Sequence, residues 1–257
     1  MELGETTVSS ACRWRTPSER IRLALRALLA VLTALPLTVG LAQTPQALDL
    51  WQRGEFASAY QAAASAETSA ELQLLAARAA ADQAVYVLAP AGAALEEQLE
   101  WLRRSVAAAE RAVALDPSSS RAVVNLARGR GEIARRSGIL QNLNVAGELK
   151  RLFDSALELN PSDPDALVGL GMWHLELVEN GVGWLYGGRR DQVLPLVEAG
   201  VAAAPTQVNL RVEYATALAA LGQPERAREQ LEQAVALPAT SAVDRAEQER
   251  ARQLLGH

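Results

Sequence analysis

One cysteine, two histidines and one lysine are all the chain has of the side chains that most often carry chemistry: Cys12, His174, His257 and Lys150. A lone cysteine excludes a disulfide within the chain. Two histidines exclude a His-rich metal centre, and neither an H-E-x-x-H run nor a cysteine pair is present. No G-x-S-x-G elbow provides a nucleophile, and no glycine-lysine pair forms a phosphate loop. Aromatic residues make up only 4% of the chain, and windows of alternating β-branched and aromatic residues are nearly absent, so strands have no support. An enzyme, a metal site and a bound cofactor are therefore not expected.

What is abundant is alanine and leucine, within an apolar fraction of 49%. Both lose little on entering a helix, so the expected class is all-α. The net charge is −5, and the basic residues are scattered arginines, which argues against nucleic acid as partner. Two superficial motifs fall away. "RGRGEIA", residues 128–134, has no strand before it, and Glu96 with Glu97 opens a helix, where carboxylates complement the dipole.

The first 42 residues read as a secretory signal peptide. Arg13, Arg15, Arg20, Arg22 and Arg26 precede the apolar run 27–42, which ends on small residues at Gly40 and Ala42. That run is shorter than the roughly 20 residues a spanning helix needs. Cleavage after Ala42 is expected, with an exported, periplasmic or envelope location; an uncleaved segment would instead anchor the protein near a membrane. Without residues 1–42 the net charge becomes −7 and no thiol remains.

Residues 43–257 carry a repeat. Helical segments end at Pro117, Pro161, Pro205 and Pro238, spaced 44, 44 and 33 residues apart. The last unit, "VNLRVEYATALAALGQPERAREQLEQAVALP", pairs two amphipathic helices. Gly222 stops the first and Pro224 opens the second. Ala215, Ala227 and Ala234 are small where the helices must approach, and Tyr214, Leu218 and Leu231 fill the space between. This unit resembles the tetratricopeptide repeat (TPR): Ala215, Gly222, Ala227, Ala234 and Pro238 match its positions, with Pro238 one residue early. The run "LELNPSDPDALVGLGMWH" resembles bacterial TPR proteins related to the regulator-of-microtubule-dynamics family. The resemblance implies a right-handed solenoid of helical hairpins. Two of its repeats, near residues 131–147 and 178–192, are lengthened by about ten residues over the norm. A final helix from Ser241, with Val243, Ala246 and Leu254 as its apolar face, is expected to cap the array.

In TPR arrays the first helix of each repeat lines a concave groove. By that resemblance Arg121, Val124, Asn125 and Arg128 face the groove, followed by Asp165, Val168 and Met172, then Asn209, Val212, Glu213 and Thr216. Arg121, Asn125 and Arg128 share a helix face and suit a carboxylate or an extended peptide. The pattern departs from the lysine-and-asparagine clamp of chaperone-binding relatives. Trp173 and His174 are expected to pack within their own hairpin. The inserts present Leu140 and Leu143 in one repeat and Trp184, Tyr186 and Arg189 in the next. These either pack on each other or offer an apolar site. The expected function is an exported scaffold that binds a protein or peptide in the groove. The alternative is a small-ligand carrier or transport-system accessory whose pocket the inserts form.

Overall fold

The computed structural model describes residues 44–138 and 143–256. The expected leader (1–42), Leu140 and His257 lie outside the described residues. The described chain is helical without strands. Helix α1 covers 44–53 and α2 Phe56–Ala64. Helix α3, Ala70–Asp82, runs on into a π-helical turn at Gln83–Leu88. Then follow α4 (Leu95–Leu115), α5 (Ser120–Ser137), α6 (Leu143–Leu159), α7 (Pro164–Glu179) and the single turn α8 (Gly183–Tyr186). The rest are α9 (Arg190–Ala203), α10 (Val208–Ala220), α11 (Pro224–Ala236) and α12 (Ala242–Leu255).

Local sequence sets these boundaries. Ser69, Ser119, Asp163 and Ser241 cap α3, α5, α7 and α12 by accepting a backbone N–H of the first turn. Asp244 returns the bond at Ser241, completing a capping box. Pro164 and Pro224 open their helices, where a missing N–H costs nothing. Gly222 ends the α10 segment at φ +80°.

Helices pair as hairpins, α3/α4, α5/α6, α7/α9 and α10/α11, and α3, α5, α7 and α10 each touch the next in that series. The small positions lie where backbones approach. A Cβ on Gly171 would sit 2.6 Å from Val197, and one on Gly200 would sit 2.6 Å from Val168 and 2.8 Å from the Pro164 carbonyl. Extra length goes partly into helices: α5 and α6 have 18 and 17 residues, against 13 each in α10 and α11.

The buried apolar side chains form successive clusters, one around Trp51, Phe56 and Leu72 and the largest around Leu210, Leu218 and Leu231. Val212 belongs to this core, wholly buried beside Val193 and Val197, and not to the groove where the sequence placed it. The apolar face expected for α12 also shifts. Leu254 is 57% exposed, and the residues that α12 buries are Glu247, Gln248 and Ala251. Gln248 turns inward because its amide donates to the Ala234, Val235 and Leu237 carbonyls at the end of α11. Gln73 does the same for Ala64 and Ala66 at the end of α2.

Helix α12 reaches back to the first repeat. Ala242 and Val243 pack on the cluster around Trp51, and Ala242 sits where a Cβ on Gly54 would stand. Arg245 donates to the Gln52 carbonyl at 3.3 Å, and the Tyr86 hydroxyl donates to Glu247 at 2.7 Å. The last helix thus closes the array into a ring rather than leaving an open groove.

Candidate functional site

The ring surrounds a channel of about 1660 Å³, lined mainly by the first helices of the repeats, by α12 and by Val145, Ala146, Leu149 and Phe153 of α6. Positions spaced by one and two helical turns point inward. Arg78, Asp82 and Tyr86 come from the α3 segment, Arg121, Asn125, Arg128 and Glu132 from α5, and Asp165, Val168 and Met172 from α7. Asn209, Glu213 and Thr216 come from α10, and Glu247 and Arg250 from α12. Of the eleven positions expected to face the groove, all but Val212 line this channel, among them Arg121, Asn125, Arg128, Asn209 and Glu213.

Several are already engaged. Asp82 is buried and accepts from the Trp51 indole N–H at 2.7 Å and from Arg128 at 2.6 Å. Arg128 is therefore not a free cation. Burial works against its charge, but Asp82, Tyr86 and Glu132 together outweigh it and raise its pKa. Asn125 donates to the Arg121 carbonyl at 2.8 Å within its own helix, and Glu213 accepts from Arg250 at 3.1 Å. Burial, reinforced by the neighbouring Asp163 carboxylate, raises the Asp165 pKa despite Arg128 and Arg78 nearby. Burial pushes the Tyr86 phenol well above its usual value, and the Glu247 carboxylate adds to the shift.

Glu247 gives a pH prediction. Burial first, then Glu213, raises its pKa, while the bond from Tyr86 and the charge of Arg250 pull the other way. A carboxyl whose folded pKa exceeds its unfolded value favours the fold in acid and weakens it as pH rises through the folded pKa. Glu247→Gln keeps an acceptor for Tyr86 and removes that cost. The variant should melt above wild type at pH 7, with the curves converging below the ordinary carboxylate value of 4.5. Equal melting at both pH values would show that the buried charge costs nothing.

Three residues of the second insert lie elsewhere. Leu143 is the first residue of α6. Tyr186 and Val182 pack on Trp173, beside Ala146 and Leu149 of α6. Trp184 is 85% exposed, and Arg189 is exposed with Asp191 at 3.4 Å. Trp184, Tyr186 and Arg189 do not line the channel. Trp173 shares a cluster with Leu177, Val182, Tyr186 and Leu196 of its own repeat, and its indole also donates to the Ala146 carbonyl of the preceding repeat at 2.9 Å. His174 stays in its own hairpin, accepting at Nδ1 from the Arg189 backbone N–H at 3.1 Å. Burial, with Lys150 and Arg189 nearby, lowers its pKa. Among the described residues no cluster of three or more His, Cys, Asp or Glu suits a metal ion.

Arg78, Asp82, Tyr86 and Trp51 escaped the sequence reading, which mapped the groove only from residue 121 onward. The i, i+4, i+8 spacing of Arg78, Asp82 and Tyr86 was the available signal.

Comparisons agree with this architecture. The model of the regulator of microtubule dynamics protein 1-3 family matches residues 44–184, more than half of the chain. The chain belongs to that family. In fold it is similar to TTC0263, a thermophilic TPR protein of Thermus thermophilus. The TM-score is 0.62 at 14% identity, covering 85% of this chain and 100% of that one. Weaker likenesses are to MamA (TM-score 0.42, 13% identity, 83% and 94% coverage) and to YrrB, a TPR protein with an unusual peptide-binding site (0.42 for MamA against 0.39 here, 16% identity, 82% and 90% coverage). No curated protein matches. For this regulator-of-microtubule-dynamics family member, the match begins at the first described helix and ends at Trp184, inside the second insert.

Proposed function

We propose that this protein is a non-catalytic scaffold that binds an extended segment of a partner protein in its central channel. The observation that carries the reading is the row of inward side chains from α3, α5, α7, α10 and α12. It offers cations, carboxylates, amides and apolar patches along a single path. Such a mixed lining suits peptide backbone and side chains better than a uniformly apolar ligand. The basic and apolar sequence of residues 13–42 supports an exported scaffold; N-terminal sequencing of the protein recovered from the envelope tests it, and an intact segment 1–42 would contradict export by cleavage.

The carrier alternative required a pocket built by the inserts. Val145 and Ala146 of the first insert line the channel, whereas Trp184 is 85% exposed and, with Tyr186 and Arg189, stays outside it, which favours the peptide reading. A panel of fluorescent peptides read by anisotropy tests the channel reading. Peptides that bind should lose affinity when Met172→Trp or Thr216→Trp fills the channel, and should keep it in Trp184→Ala. The opposite pattern would move the binding surface to the insert.

A further inference from the structure

We infer that the join between α12 and the start of the array is a gate. It opens to admit a partner segment that has no free end, while α12 stays with the last repeat. This rests on the channel reading and adds how the channel is loaded.

A closed ring limits its occupant. A chain with a free end can thread it, but a segment held between two folded domains cannot. Such a segment enters only where the ring opens, and the two sides of α12 are fastened unequally. On one side α12 packs along α10 and α11, with Ala251 buried in their core and Leu255 against it. There the Gln248 amide donates to three carbonyls at the end of α11, at 2.6 Å to that of Leu237. On the other side Ala242 and Val243, both in the first turn of α12, join the cluster around Trp51. Further along, the join is polar. Arg245 donates to the Gln52 carbonyl at 3.3 Å, and Tyr86 donates to Glu247 at 2.7 Å. Water can replace such bonds at small net cost, and a join with little apolar contact opens first.

Opening leaves neither side with an orphaned group. Glu247 keeps Arg250 on its own helix at 3.4 Å, and Arg250 keeps Glu213 of α10 at 3.1 Å. Trp51 keeps Asp82, and Asp82 keeps Arg128. The Tyr86 hydroxyl and the Gln52 carbonyl turn to water. Both positions of the join are thus satisfied, as a two-position element requires. Tyr86 also stands in the π-helical turn Gln83–Leu88, where the Ala89 N–H donates five residues back to the Ala84 carbonyl at 3.0 Å. Among the described residues the π-helical geometry, rare in helices and frequent at functional sites, lies at this join.

Paired nitroxide labels measure the gate without any ligand. The background is Cys12→Ser, which leaves no native thiol. One pair, Gln46→Cys with Leu254→Cys, spans the join from exposed positions of α1 and α12. The other, Glu232→Cys with Leu254→Cys, links α11 to α12. Pulsed dipolar spectroscopy should give a short and a long distance across the join, and one distance between α11 and α12. Tyr86→Phe combined with Arg245→Ala should raise the ratio of long to short by about tenfold. Ala242→Leu, which overfills the space beside Gly54, should raise it too. Melting curves confirm folding, and wild type decides alone if a variant does not fold. A single short distance across the join in wild type and in every folded variant would overturn the gate. Two distances between α11 and α12 would also overturn it.

A second measurement tests loading. Gln52→Cys with Arg245→Cys, joined by a bismaleimide, locks the ring. The tightest-binding peptide of the fluorescent panel is offered with free ends and fused between two folded domains. The locked protein should take the free peptide and should bind the fused one at least about tenfold more slowly than the unjoined protein does. Equal rates for the fused peptide would mean entry without opening and would overturn the gate. So would a fused peptide that fails to bind even the unjoined protein while the free one binds. If neither form binds, the channel reading and the loading role fall together, and the label distances still decide whether the join opens.

Discussion

Asp82→Ala is expected to destabilise the protein by about 3 kcal/mol, the low end for breaking a buried ion pair, because Arg128 keeps 34% of its side chain exposed in the channel. The carboxylate accepts from two groups at once, the Trp51 indole and Arg128, and only 1% of its side chain is exposed. Removing it leaves an indole N–H and a guanidinium without acceptors in the channel wall. It also frees Trp51, on which Arg78 stacks. Urea denaturation measures the loss. Near-ultraviolet circular dichroism should report the change around Trp51. A loss under about 0.5 kcal/mol, the range of surface substitutions, would mean that Asp82 does not organise the wall.

Gly200→Val should be at least as damaging, at about 3 kcal/mol, the upper end of typical overpacking. A Cβ there meets the Val168 side chain at 2.6 Å and the Pro164 carbonyl at 2.8 Å, and backbone yields less readily than a side chain. The two added methyl groups make the crowding worse and force α9 away from α7. Since α7 carries Asp165, Val168 and Met172, the channel wall should shift with it. A thermal melt gives the stability change. An unchanged melting temperature would contradict the close α7–α9 crossing.

The repeat was legible because its signals are local. Prolines at fixed spacing, Gly222 and the alanines at 215, 227 and 234 each follow from backbone geometry within one hairpin. The inward positions from Arg121 to Glu213 were legible for the same reason, since helix periodicity places them once the repeat is aligned. Val212 was misplaced although Asn209, Glu213 and Thr216 on the same helix were not, because its side of α10 turns to Val193 and Val197 in the core.

Ring closure was not legible. It depends on contacts between residues nearly 200 positions apart, such as Arg245 with the Gln52 carbonyl, and no local pattern encodes the sum of small rotations that brings them together. The inward turn of α12 was hidden for a related reason. Its buried residues include Glu247 and Gln248, which a search for an apolar stripe passes over in favour of Leu254. That Arg128 is engaged was equally out of reach, because the Asp82 that holds it lies on a different helix, 46 residues earlier.

Photo-crosslinking in the native cell most directly tests the claim that the channel is where partners bind. A benzophenone side chain replaces Met172 inside the channel in one protein and Leu185 on the exposed insert in another. The account predicts crosslinked partner from position 172, competed by excess unlabelled wild-type protein, and none from position 185. Crosslinks from position 185 alone would contradict it.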